Sequence, residues 1–214
     1  MNVIEALAKR RSVRAFLSTP IDPKKLTAIF EAALRTPSWA NSQPWEMFVA
    51  TGKTLERIKK GYAENYANNV PAAPETPRPT EWPDVSIQRR EQLNSDMRRD
   101  CGDTVAQFGK LNQMMFGAPA VIYPCMDKLL SQWSLYDIGA YSQSLMLAAT
   151  EYGLDTIPAM TLTLFPDILR RELQIPENLK VTIGIAIGYP DVQNAINNFV
   201  SARIPVNQNL HIFD

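Results

Sequence analysis

Histidine occurs once in this chain of 214 residues, as His211, and cysteine only twice, as Cys101 and Cys125. Two thiols far apart in sequence and one imidazole are too few for a tetrahedral structural zinc site. They also leave no Ser-His-Asp or Cys-His set for nucleophilic catalysis, and His211, in a stretch with little periodicity, reads as a surface residue. No apolar run approaches the roughly 18 residues that a membrane span requires. With no secretory leader in view, the two cysteines read as free thiols of a cytoplasmic protein. Net charge is lacking as well: Lys+Arg and Asp+Glu both number 22. That excludes the broad basic face of most proteins that bind nucleic acid or anionic membrane.

What is present is ample apolar content, 45% of residues, enough for a sizeable core in one domain spanning 1–214. Against the neutral background, Lys9, Arg10, Arg11 and Arg14 gather around a single small hydroxyl, Ser12. Cations at a helix C-terminus oppose the negative end of the macrodipole. A tight set of arginines also suits a small anion, so the cluster alone leaves both readings open.

Val3, Ile4, Leu7 and Ala8 recur at helical spacing ahead of that cluster. Asp22-Pro23 is an N-cap followed by an N1 proline, and Leu26, Ile29, Phe30, Ala33 and Leu34 give the next helix one apolar face before Pro37. Residues 45–50 read as a buried strand and 54–66 as a helix. The proline-rich run VPAAPETPRPTEWP (70–83) is neither, and is expected to be an extended loop or lid. Residues 87–116 read as helix interrupted near Cys101-Gly102, and 117–126 as a strand. Residues 134–153, apolar almost all round and ending at Gly153, read as a buried helix with small residues that suit another subunit. Residues 181–190 read as one strand. Strands mixed with long helices, without strict alternation, indicate an α+β fold.

Five ordered stretches carry a further signal: RRSVRAF (10–16), PSWANSQPW (37–45), the helix containing Asp137-x-Gly139 that leads into LAATEYGLDTIPA (147–159), GIAIGYP (184–190), and Arg203 in SARIP (201–205). Together they resemble the nitroreductase family of FMN flavoproteins over nearly the whole chain. The proline-rich run is similar to an insertion in one subgroup. The resemblance implies a mixed central sheet flanked by helices and an interlocked homodimer with FMN at the subunit interface. It implies that Arg10, Arg11, Ser12 and Arg203 hold the FMN phosphate and that Arg14 reaches the pyrimidine edge of the isoalloxazine. Pro37, Ser38 and Trp39 match positions contributed by the other subunit along the flavin, and Asn41 matches one that orients the ring edge.

Pro158, Ala159 and Met160 match the loop whose backbone N–H faces flavin N5. Met160-Thr161 replaces the commoner Glu-Gly pair there, which shifts the N5 donor by as much as one position. Ser201 stands where the family places a lysine, so the N-terminal cluster carries more of the phosphate. A cation beside the N1/C2 edge stabilises the charge that builds there on reduction.

The implied activity is ping-pong transfer of a hydride from NADPH or NADH through the flavin to a nitroaromatic, a quinone or a similar electron-poor acceptor. In it no side chain is a catalytic nucleophile and no metal takes part. Trp39 and Trp82 are the candidate substrate-facing rings, and Tyr66 and Trp45 are further aromatic candidates, with packing favoured for Trp45. Two alternatives remain at this level: other flavin chemistry on the same scaffold (enone reduction, reductive dehalogenation or flavin fragmentation), and non-catalytic binding of a phosphorylated ligand. Only the last predicts a colourless protein.

Overall fold

A computed structural model describes residues 1–213. The chain runs α1 (Val3–Lys9), α2 (Pro23–Ala33), β1 (Glu46–Thr51), α3 (Gly52–Ala67), α4 (Asp84–Cys101), α5 (Phe108–Gln113), β2 (Ala120–Asp127), α6 (Gln132–Glu151), β3 (Asp155–Ala159), α7 (Pro166–Leu173), β4 (Leu179–Val181) and β5 (Gly184–Gly188). The local signals act as expected. Asp22 accepts from the Lys24 N–H ahead of Pro23, Asn2 and Glu5 form a reciprocal capping box on α1, and Gly153 follows α6 at φ +73°.

The α+β architecture is a sheet in the order β1-β2-β5-β3, with β4 also on β2. All its ladders are antiparallel; the parallel element among the described residues is a single bridge, Ser12 to Thr156. Alternate residues of β2 face opposite layers, as a pleated strand requires. Val121 and Tyr123 join the core under α3 and α7, with Leu55, Ile58, Tyr62, Phe165 and Leu169. Ile122 joins the core under α2 and α6, with Ile29, Ala33, Ile138, Tyr141 and Leu145. The sheet is therefore covered on both faces.

Four expectations are revised. The strand expected to be buried at 45–50 is an edge strand, and within β1 only Ala50 is buried. Residues 181–190 do not form one strand. β4 pairs with Cys125 to Asp127 and β5 with Ala120 to Ile122 of the same neighbour. Between them Pro124 has no N–H to give to a ladder, and the Thr182 N–H and hydroxyl both donate to its carbonyl, at 3.0 and 2.8 Å. No element is expected at residues 155–159, yet they form β3 because β5 pairs along their whole length. The fourth revision concerns α6, which is not buried all round: Trp133, Tyr136 and Gly139 are exposed.

The proline-rich run 70–83 is an extended strap, as expected. Its first half is fastened to the body: the Ala73 N–H donates to the Leu164 carbonyl, and Glu75 pairs with Arg170 and accepts from the Val181 N–H at 2.7 Å. Both cysteines are buried free thiols, and His211 is exposed. Among the described residues, no helix is long and apolar enough to cross a membrane.

Candidate active site

The basic cluster leaves α1 and turns into a stretch that lies against β3. Asn2 and Glu5 cap the start of that helix, and Arg10 ends it with extended backbone. The Val13 N–H then donates to the Thr156 carbonyl at 3.1 Å, and the Phe16 N–H to the Phe116 carbonyl at 3.0 Å. This docking places Arg10 and Arg11 over the start of β3, where Asp155 feels the charges of Arg11, Lys9 and Arg10. Burial holds the Asp155 carboxyl above its usual range, and those cations only partly offset it.

The C-terminal segment comes back to the same place. Burial first, and then the charge of Arg203, push the Arg10 guanidinium below its ordinary pKa, with Asp155 opposing. Residues 193 positions apart are thus close enough to repel. Arg203 itself is exposed, and it donates to the Ser201 carbonyl and hydroxyl at 3.0 and 2.7 Å and to the Ala202 carbonyl at 3.0 Å. Two converging guanidiniums with one carboxylate behind them leave local positive charge for an anion to neutralise.

Arg14 differs from its neighbours in being buried. One guanidinium nitrogen donates to the Ser12 carbonyl at 2.9 Å, while its Nε has no hydrogen-bond partner. The guanidinium carbon lies 5.2 Å from the Phe199 ring centre and 5.9 Å from that of Phe108. Such contacts to ring faces offset part of the cost of taking the charge out of water. Desolvation still pulls the Arg14 pKa below its ordinary value.

Pro37, Ser38 and Trp39 gather elsewhere. With Trp133, Tyr136 and Asp137 of α6 they line a shallow cleft of about 240 Å³. The Trp39 N–H donates to Asp137 Oδ2 at 3.2 Å, which gives the Asp-x-Gly of α6 a structural task. Ala40, Asn41 and Gln43 all have positive φ, so the turn is wound in the left-handed sense and Asn41 is exposed. Among the described residues, no hydrogen bond joins 37–41 to the arginine cluster within the chain.

Pro158 is exposed at the end of β3 beside a cleft lined by Ser142, Gly139 and Thr182, where the Ser142 hydroxyl is unpartnered. Ala159 and Met160 are half-buried, and the Met160 carbonyl accepts from the Thr163 hydroxyl at 2.8 Å. Trp82 is exposed under the Arg90 guanidinium, 4.7 Å from the ring centre to the cation. Trp45 packs in the core against Tyr141, with ring centres 4.7 Å apart.

A model of the nitroreductase family matches residues 7–189, most of the chain. The chain belongs to the nitroreductase family. It is 31% identical to a 4-nitrobenzoate reductase of Pseudomonas putida over 93% of this chain and 88% of that protein. Among solved structures it resembles the FMN- and NADPH-dependent nitroreductase NfnB of Sphigopyxis sp. strain HMH, with a TM-score of 0.91 at 28% identity and full coverage of both chains. It also resembles the FMN-dependent nitroreductase NfnB of Mycobacterium smegmatis in complex with NADPH, with a TM-score of 0.89 at 27% identity over both whole chains.

Several residues at this site were missed by sequence reasoning. Asn197 is buried in the tail: its side-chain oxygen accepts from the Arg14 and Ala15 N–H groups, and its amide donates to the Ala15 and Asp191 carbonyls. It fixes the backbone that aims Arg14. Asn112 of α5 accepts from the Thr161 hydroxyl beside Met160. Neither amide stands in a sequence pattern that marks it. Asp155 was legible in principle, as the one charged residue in the stretch from Leu154 to Phe165.

Proposed function

We propose that the protein is a single-domain, cytoplasmic, FMN-dependent NAD(P)H oxidoreductase that reduces nitroaromatics, quinones and similar electron-poor acceptors, and that it acts as a homodimer. The observation that carries this reading is the match to the nitroreductase family over residues 7–189, joined by an arginine cluster in which Arg10 feels the charge of Arg203 from the other end of the chain. The residues fit an FMN: a dianionic phosphate would relieve the Arg10–Arg203 repulsion, and the buried Arg14 guanidinium has no carboxylate partner among the described residues, so its positive charge is left for an anionic group to balance. Arg10, Arg11, Ser12 and Arg203 would hold the phosphate.

Bound FMN supplies the two-electron relay between a nicotinamide and the acceptor. The chain's own residues bind and tune. Arg14, with its backbone held by Asn197 and its guanidinium against two phenylalanine rings, would supply a fixed positive charge to a flavin bound beside it, favouring the reduced form. Pro158, Ala159 and Met160, at the C-terminal end of β3, would supply backbone beside the flavin. Trp39 and Trp82, both exposed, offer flat apolar surface to an aromatic acceptor.

The homodimer explains what one chain leaves bare. Val3 and Ile4 on α1 are 68% and 74% exposed, and Trp39, Trp133 and Tyr136 form a contiguous apolar face around the 240 Å³ cleft. A lone protomer rarely exposes so many large apolar side chains, whereas a two-fold interface buries them and brings 37–41 to the partner's flavin. The purified protein should be yellow and release FMN on denaturation. Beyond the one equivalent that reduces its flavin, it should oxidise NADPH or NADH only when an acceptor is supplied, with parallel-line double-reciprocal plots. A colourless preparation that binds no added FMN refutes the reading.

A further inference from the structure

The proline-rich strap carries one side chain that the proposed reaction does not use. Arg78 stands between Pro77 and Pro79, and Pro71, Pro74 and Pro77 recur every third residue, the spacing of a polyproline helix. Prolines on both sides restrict the backbone around Arg78 to extended conformations. The strap is also tied down just before it, through Glu75 to Arg170 and the Val181 N–H, and through the Thr76 hydroxyl to the Val181 carbonyl at 3.5 Å. Arg78 is therefore held out on a stiff support.

Its surroundings place it at the mouth of the site. Arg78 Nε lies 3.0 Å from Met160 Sδ, and Met160 belongs to the segment proposed to flank the flavin. Its charge also reaches Tyr66, where it partly offsets the burial that raises the phenol's pKa. A thioether is a weak acceptor, yet it is the hydrogen-bond partner that Arg78 has; no carboxylate among the described residues comes within ion-pair distance of it. An exposed guanidinium beside a half-buried tyrosine, with most of its donors free, is complementary to a carboxylate delivered by a ligand.

We propose that Arg78 is a specificity-determining residue that selects aromatic acceptors bearing a carboxylate over uncharged ones. This rests on the reading of the site as an FMN nitroreductase. It assigns the strap a role in choosing the substrate and gives Arg78 no part in the electron transfer itself.

The test compares holoenzymes of the parent, Arg78→Gln, Arg78→Lys and Arg78→Glu. Two readouts are used: the ratio of kcat/KM for 4-nitrobenzoate to that for nitrobenzene, and the dissociation constant of benzoate, an unreactive carboxylate, by calorimetry. Loss of a charge-assisted pair at a partly screened position should lower the ratio and weaken benzoate about tenfold in Arg78→Gln. Arg78→Lys should recover part of both, and Arg78→Glu should drive the ratio below that of Arg78→Gln. A strap that only shapes the pocket would change both acceptors together and leave the ratio where it was. An unchanged ratio with unchanged benzoate affinity in an otherwise active enzyme overturns the assignment of Arg78 alone. A parent holoenzyme that reduces neither acceptor overturns the underlying reading, and this one with it.

Discussion

Replacing Arg203 by alanine separates a phosphate ligand from a structural arginine. In the free chain the Arg203 guanidinium is exposed, bonds among the described residues only to its own neighbours Ser201 and Ala202, and pushes against Arg10. Removing it breaks no long-range contact and relieves a repulsion, so the FMN-free protein should unfold at the same temperature as the parent or slightly above it. Binding should respond differently. A hydrogen bond to a charged group contributes about 1.5–3 kcal/mol. The exposure of Arg203 argues for the lower half of that range, a weakening of FMN by roughly 10- to 40-fold.

The discriminating assay is a cycle with riboflavin, which has the same ring and ribityl chain but no phosphate. Dissociation constants for both flavins, in parent and variant, are read by quenching of flavin fluorescence. If Arg203 meets the phosphate, Arg203→Ala costs FMN its affinity and leaves riboflavin nearly unchanged. Equal loss for both flavins, or a lower unfolding temperature without flavin, would show that Arg203 shapes the tail rather than holding the phosphate, and the argument from its convergence with Arg10 would fall.

Tyr136→Arg, on the exposed face of α6, should shift a dimer towards monomer in sedimentation velocity and release flavin with it; a variant that stays dimeric at micromolar concentration moves the interface elsewhere. Glu75→Ala strands Arg170, which is largely buried, and leaves the Val181 N–H without its acceptor; it should lower stability by about 2–4 kcal/mol in urea unfolding and expose 70–83 to limited proteolysis. Asp155→Asn tests the charge behind the cluster. Because the folded carboxyl titrates above its unfolded value, ionisation destabilises the fold, so stability falls as pH rises through that window and the penalty is complete above it. The asparagine variant should therefore melt higher than the parent at neutral pH and lose that advantage as pH drops into the usual carboxylate range.

Much of the fold was legible because its signals are local. Asp22-Pro23, Gly153 and the apolar spacing of residues 26–34 each act through neighbours in sequence, and each element they mark is present. What the sequence hid depends on pairing across the chain. The three-residue strand β4 has no periodicity of its own and exists because β2 lies beside it, and the break before β5 is set by a proline in that neighbouring strand, some sixty positions away. β1 carries a run as apolar as a buried strand, yet it lies at the sheet edge, a distinction that composition does not encode.

The site divides along the same line. The arginines around Ser12 stood out because like charges crowded into a neutral chain need a reason, and the fold supplies one by bringing Arg203 to Arg10. The residues that make Arg14 usable had no such mark. A lysine could place a charge at position 14, but it has no planar guanidinium to lie against the Phe108 and Phe199 rings. Burying the guanidinium is costly, and the cost is met by contributions from three places: the Ser12 carbonyl near it, Phe108 in α5 and Phe199 near the tail, while Asn197 holds the Arg14 backbone. On the proposed FMN reading, a charge held out of water in this way would act on the flavin with less screening than a flexible surface lysine. The tail therefore does two separate things at the arginine cluster: Arg203 adds its charge to that of Arg10, while Asn197 holds the Arg14 backbone and Phe199 lies against its guanidinium.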